Sequence, residues 1–223
     1  MQNKIELKRP RKVAARSLSW TQDPEGVQRS ILAAARIEFA EKGLSGARID
    51  EIAARVATAK RMIFYYFKDK QGLYIAVLEE AYARIRAIER TLDLAAVPPV
   101  EALKILVGFT FDYHADHPDF VRLVMVENIH HARHLKLSAK IADLNLSAMD
   151  MVRDLYARGV ADGVFRDGID PVDIHLTISA LGFYNVSNRA SIQQVFGHDM
   201  GQAQARAGRR ASVIDTVLRF VSR

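Results

Sequence analysis

Residues 49–74, IDEIAARVATAKRMIFYYFKDKQGLY, decide how this chain reads. Ile49, Ile52, Ala53 and Val56 fall at i, i+3, i+4 and i+7, one apolar stripe on a helix of about two turns. Residues 57–59 break the pattern. A second short helix follows over residues 59–67, with Ile63 and Phe67 one turn apart on its buried side. Two short helices joined by a tight turn form a helix-turn-helix, whose second helix lies in the major groove of DNA. At about 100° per residue, Arg61 and Tyr65 point away from the Ile63–Phe67 face, and Lys60 sits in the first turn, where groove-entering residues lie. Arginine bonds guanine bidentately, and Lys, Tyr and Thr hold phosphate oxygens. Lys60, Arg61 and Tyr65 are therefore expected to read the groove, and Arg48, Thr58, Tyr66 and Lys70 to hold the phosphates.

Upstream, Asp23-Pro24-Glu25 starts a helix: Asp caps, Pro suits the first helical position, and an early Glu complements the dipole. Val27, Ile31, Ala34, Ala35 and Phe39 mark its buried face, and Gly43 ends it. Residues 1–22 carry Lys4, Lys8, Arg9, Arg11, Lys12 and Arg16 with few periodic apolar positions. They read as a basic arm that follows phosphates, enters a minor groove, or has no role, with Trp20 pinning its end to the first helix. Residues 1–70 hold 15 Lys and Arg against 8 Asp and Glu, and the remainder 17 against 18, so the net charge of +6 belongs to the N-terminal third. Releasing counterions from phosphates needs cationic charge in that local concentration.

The run IDEIAARVATAKRMIFYYFKDKQGLYIAVL, above all IFYYF followed by KDKQGLY, resembles the DNA-binding domain of the TetR family of bacterial transcriptional regulators over about residues 23–78. Three positions depart from that pattern. Ala47 and Arg48 stand where the family opens its second helix with small hydroxyl residues, Ala57 replaces the turn glycine, and Ala59 replaces the hydroxyl that caps the recognition helix. Alanine cannot cap, and a lost cap costs about 1 kcal/mol, so Thr58 is expected to take that role with the boundary shifted by one.

The chain has 223 residues, nearly half of them apolar, enough for one large domain or two small ones. It has no cysteine, which excludes disulfides, thiolate metal sites and cysteine nucleophiles. No apolar run approaches the 18 or so residues of a membrane span, and the basic N-terminus lacks the apolar segment of a signal peptide; the expectation is a cytoplasmic protein without membrane contact.

Beyond residues 68–71 a long fourth helix is expected to about Leu92, carrying Leu73, Val77, Ala81 and Ile88 and linking the reading head to the C-terminal two thirds of the chain. Pro98 and Pro99 punctuate the join. Leu103, Leu106, Val107, Thr110 and Phe111 mark another helix that stops at His117-Pro118, and Pro118 starts the next. Further helices are expected at residues 136–162, 172–189 and 209–221, with a weak, Gln- and Gly-rich stretch at 192–208. The fold class is all-α: an arm at 1–22, a three-helix helix-turn-helix domain at 23–71, and a helical domain at 72–223.

The resemblance implies that this second domain binds a small effector and dimerises, and that the effector changes the spacing of two reading heads. A pocket between helices needs apolar walls with a few polar groups. Phe109, Tyr113, Phe120, Met125, Met149, Phe183 and Tyr184 supply apolar surface, and Asn185 and Asn188 supply amides, although aromatics at helical spacing also fit ordinary core. Ile174, Ile178 and Leu181 with Val213, Val217 and Phe220 fit a four-helix dimer contact, or internal core.

Glu127, His130, His131 and His134 form a rival feature. Glu127 with His131 and His130 with His134 are i, i+4 pairs, the geometry by which a helix face holds a metal, but His130 and His131 lie about 100° apart. A hydrogen-bonded or exposed histidine patch is the preferred reading, and neither metal nor cofactor is expected. GxSxG, HExxH and a phosphate-cradling glycine loop are all absent from the sequence, so no enzyme is expected. The expected function is a sequence-specific transcriptional regulator, most simply a homodimeric repressor released from a palindromic double-stranded operator by a small-molecule effector. The alternatives are a metal-dependent enzyme using the histidine patch and a nonspecific architectural DNA binder.

Overall fold

A computed structural model describes residues 23–223, so the expected arm and Trp20 lie outside the described residues. Among the described residues ten α-helices run in order: α1 Pro24–Gly46, α2 Ile49–Arg55, α3 Lys60–Phe67, α4 Lys70–Arg90, α5 Pro99–Asp116, α6 Pro118–Ile129, α7 Ala139–Ala161, α8 Pro171–Ser187, α9 Arg189–Phe196 and α10 Ala203–Val221. Short 3₁₀ turns at Leu94–Ala96 and Leu135–Leu137 join α4 to α5 and α6 to α7. Among the described residues the only extended pairing is one isolated bridge between Phe165 and Ser222, and no helix is long and apolar enough to cross a membrane.

The starts of α1, α4 and α8 are set by caps that the sequence carries. Asp23 accepts the Gly26 N–H at 2.8 Å ahead of Pro24, Asp69 accepts the Gly72 N–H at 2.7 Å, and Asp170 accepts the Val172 N–H at 2.9 Å ahead of Pro171. Gly43 breaks the regular part of α1 at φ 65°, ψ 179°, a region open in practice only to glycine.

Two apolar clusters run through the molecule. The first joins Ile31, Ala35 and Phe39 of α1, Ile49 and Ile52 of α2, Ile63 of α3, and Leu73, Tyr74, Val77 and Leu78 of α4 with Phe120 and Leu123 of α6. The second joins Leu103, Leu106, Val107 and Phe111 of α5, Val152 and Leu155 of α7, Ile174 and Ile178 of α8, and Val213 and Val217 of α10. A fully buried Ile or Leu contributes about 1.5–3 kcal/mol. Core therefore continues from the helix-turn-helix into α4 and α6, and the reading head is braced by the second half of the chain.

Candidate nucleic-acid interface and effector cavity

The reading head is held by one buried carboxylate. Glu38 of α1, wholly buried, accepts Lys42 Nζ at 2.8 Å and the backbone N–H of Arg48 at 3.2 Å, with Arg55 of α2 at 3.5 Å. Burial alone would raise its pKa, but the Lys42 hydrogen bond, the Arg48 N–H and the two cations outweigh it and hold the carboxyl below its ordinary value. Arg48 and Ala59, the cap positions of α2 and α3, make no side-chain cap bond. Thr58 does not cap α3, contrary to expectation, because the helix starts at Lys60 and leaves Thr58 one residue too far upstream. At the mouth of α2, Glu38 receives the N–H that a capping-box partner would otherwise take.

Ile63 is wholly buried, and its burial turns the other side of α3 outward. Tyr65 is 72% exposed, and Lys60 and Arg61 are exposed beside it. Lys60 pairs with Asp50 at 3.1 Å, and both side chains are about half exposed. Such a pair is worth at most about 1 kcal/mol, so it does not fix Lys60 in place. Arg48 is exposed, Thr58 and Tyr66 are half-buried, and the Tyr66 hydroxyl has no protein partner. Lys70, at the start of α4, donates to the Ser45 carbonyl at 3.3 Å. Arg48 stands at the cap position before α2, Thr58 in the turn, Lys60, Arg61, Tyr65 and Tyr66 on α3, and Lys70 at the start of α4.

A cavity of about 610 Å³ lies between α4, α5, α6, α7 and α8. Its walls are apolar at Ile85, Leu106, Phe120, Val152, Ile178 and Phe183, and polar at Arg86, Glu89, His114 and His175. Arg86 and Glu89 are buried and paired through the guanidinium Nη1 and Oε2. Burial first, and then the charges of Arg86 and the neighbouring histidines, push His114 down to about 4, and the same burial and Arg86 lower His175. A second cavity of about 570 Å³, walled by α5, α6, α8, α9 and the start of α10, does not touch α4.

Of the nine residues expected to line a pocket, Phe120 and Phe183 border the first cavity, and Met125 and Asn185 the second. Phe109, Tyr113, Met149, Tyr184 and Asn188 border neither. Tyr113 is core, stacked on His117 at 4.0 Å, Phe109 packs beside it, and Asn188 bonds Ser187 at the end of α8. Met149 is half-buried on α7, and Tyr184 is 55% exposed on α8. Sequence reasoning missed Arg86 and Glu89, although a signal was present: Tyr82, Ile85, Arg86 and Glu89 fall at i, i+3, i+4 and i+7, a buried stripe with two charges in it.

Of the six residues expected at a dimer contact, Ile174, Ile178, Val213 and Val217 are buried within the chain itself, and Leu181 and Phe220 pack half-buried against the same cluster. The first four are spent on internal core. α8 exposes Val172, Leu176 and Tyr184 by 40%, 56% and 55%, Leu176 at the border of the first cavity.

The histidine patch departs from the helical geometry assumed for it. α6 ends at Ile129, and His131 and Ala132 take positive φ values of 57° and 54°, so His130, His131 and His134 do not share a helix face with Glu127. Glu127 pairs instead with His134, and no group of three His, Asp or Glu side chains that could hold a metal occurs among the described residues.

Residues 31–77 match the family model for bacterial regulatory proteins of the tetR family, and residues 99–217 match the model of the tetracyclin repressor-like C-terminal domain. The HTH-type transcriptional repressor NicS of Pseudomonas putida is 34% identical over 202 residues, 91% of this chain and 95% of that protein. An HTH-type transcriptional repressor of Streptomyces coelicolor is 33% identical over 74% of this chain and 80% of its own length. Among solved structures, a transcriptional regulator of Streptomyces coelicolor superposes with a TM-score of 0.66 at 26% identity, covering 87% of this chain and 98% of that one.

Proposed function

Because the chain belongs to the TetR family of bacterial regulatory proteins, we propose that it represses transcription as a homodimer gripping a palindromic operator, and that a small molecule seated between its helices releases it. The carrying observation is α3, where burial of Ile63 turns Lys60, Arg61 and Tyr65 to the outside on a two-turn helix braced by α1 and α4. Lys60, Arg61 and Tyr65 read base edges, while Arg48, Thr58, Tyr66 and Lys70 hold phosphates and fix the register. Two copies related by a two-fold axis read half-sites one helical turn, about 34–36 Å, or a multiple of it apart. Val172, Leu176 and Tyr184, the exposed apolar side chains of α8, are the contact offered to the second copy.

The first cavity is the effector site, since α4 forms one of its walls and starts at the reading head. A ligand that changes the packing of α4 changes the angle at which α3 is presented. Footprinting on the DNA flanking the protein's own gene tests the reading. One protected, two-fold symmetric site supports it, and diffuse protection of any fragment refutes it in favour of a sequence-indifferent binder.

A further inference from the structure

The cavity beside α4 carries polar groups that the protein leaves unsatisfied. Thr110, Asn128 and Asn145 each donate to a carbonyl of their own helix at 2.9 Å. Arg86 and His114 differ from them. Arg86 is 8% exposed and spends Nη1 on Glu89, but its Nε–H has no partner. His114 is 5% exposed and its Nδ1, packed beside Gly182, has none either. Buried N–H groups are almost always paired, and leaving one unpaired costs about 1–3 kcal/mol in general. A guanidinium has donors only, so the missing group is an acceptor.

The sign of that acceptor is set by the charges around it. The charge of Arg86 reaches both imidazoles, and together with burial it keeps His114 and His175 neutral near pH 7. Glu89 offsets that charge but takes only Nη1, so the unpaired Nε–H stays a cationic donor whose strongest partner is an anionic acceptor, beside two neutral imidazoles. The other walls, Phe120 and Phe183 packed 6.0 Å from the His114 ring and Val152 on α7, offer no charge. A carboxylate on an apolar body matches the free Nε–H and the apolar walls around it, and charge-assisted bonds to guanidinium are about twice as strong as neutral ones.

We infer that the cavity between α4 and α8 takes an organic monocarboxylate, its oxygens on Arg86 and His114 and its body among the aromatic walls. This assignment rests on reading the chain as an effector-released regulator and deepens it by naming the ligand class. Glu89 then acts as the internal counterion that holds Arg86 in place until the ligand arrives.

Calorimetry on the full chain with benzoate and 1-naphthoate, each against its neutral amide isostere, tests the assignment. Acids binding about tenfold or more tighter than their amides are expected. The Arg86→Gln/Glu89→Gln double variant, which keeps the cavity's shape without its charges, is expected to lose that preference, and Glu89→Gln alone to keep or increase it. Amides binding as well as acids, no binding by either, or an undiminished acid preference in the double variant would overturn the assignment. The regulator reading is scored separately, by whether ligand-free protein prefers its operator to scrambled DNA. Retained preference alongside absent acid binding sinks the ligand class alone.

Discussion

Glu127 of α6 and His134, in the turn after it, form a buried pair, with imidazole Nδ1 2.7 Å from carboxylate Oε1. The other carboxylate oxygen accepts the backbone N–H of His134 at 3.1 Å and of Leu135 at 3.3 Å. Burial opposes ionisation of Glu127, but the hydrogen bonds from His134 outweigh it and hold the carboxyl below its ordinary value. The His134 ring meets Tyr74 edge-on at 5.1 Å, and Tyr74 meets Phe39 in the same way at the same separation. A contact path thus runs from α6 through the start of α4 to α1 of the reading head.

Removing one member of such a pair strands the other. Glu127→Ala is expected to cost about 3–5 kcal/mol in urea denaturation. A loss under about 1 kcal/mol would mean that the pair is an incidental surface contact.

Arg61 and Lys70 have different duties on DNA. Arg61→Ala should cost about 1–3 kcal/mol on the operator and relax one base position, whereas Lys70→Ala should weaken every duplex alike and lower the salt slope by about 1. Anisotropy titrations on operator and scrambled duplexes separate the two, and equal losses on both duplexes from both variants would erase the distinction.

Ala57 sits at φ +50° in the helix-turn-helix turn, where the resemblance places glycine. A left-handed alanine costs about 1–2 kcal/mol relative to glycine, so Ala57→Gly should stabilise the protein by about 1 kcal/mol and raise its melting temperature. An unchanged or lowered melting temperature contradicts strain at this position.

His114 makes folding acid-sensitive. Its folded pKa of about 4 lies below the ordinary 6.5, so the unfolded chain takes up the proton first as pH falls. The neutral-state stabilisation is complete above about pH 6.5 and drains away between 6.5 and 4, by about 3 kcal/mol in all, with His175 acting in the same direction. Glu38 and Glu127, held below the ordinary 4.5, begin to lose theirs only at lower pH. His114→Gln should flatten the upper part of the stability-against-pH curve. A variant curve parallel to wild type from about pH 6.5 to 4.5 would show that His114 is not buried neutral.

How much was legible in the sequence depends on what each helix buries. α1 to α4 were readable because each carries a clear stripe, and Asp23-Pro24, Asp170-Pro171 and His117-Pro118 mark boundaries that the structure keeps. α9 and the first turns of α10 fell within a stretch that read as weak because α9 buries no side chain, and a helix without a buried face leaves no apolar period. The end of α6 was hidden for another reason: the positive φ angles belong to His131 and Ala132, with neither Gly nor Pro to announce them. The cavity depends on how five helices approach one another, which periodicity along any one of them does not encode. Aromatics such as Tyr113 and Phe109 were indistinguishable from pocket walls because core and pocket select the same residues.

The central claim is that the outer face of α3 reads a particular DNA sequence. Its most direct test is an anisotropy titration of a selected operator and a scrambled duplex, at two salt concentrations, with wild-type protein and with the Lys60→Ala/Arg61→Ala/Tyr65→Ala variant. The account predicts salt-sensitive binding with a preference for the operator that the variant loses while its melting temperature holds. Operator preference that survives removal of all three side chains would contradict it.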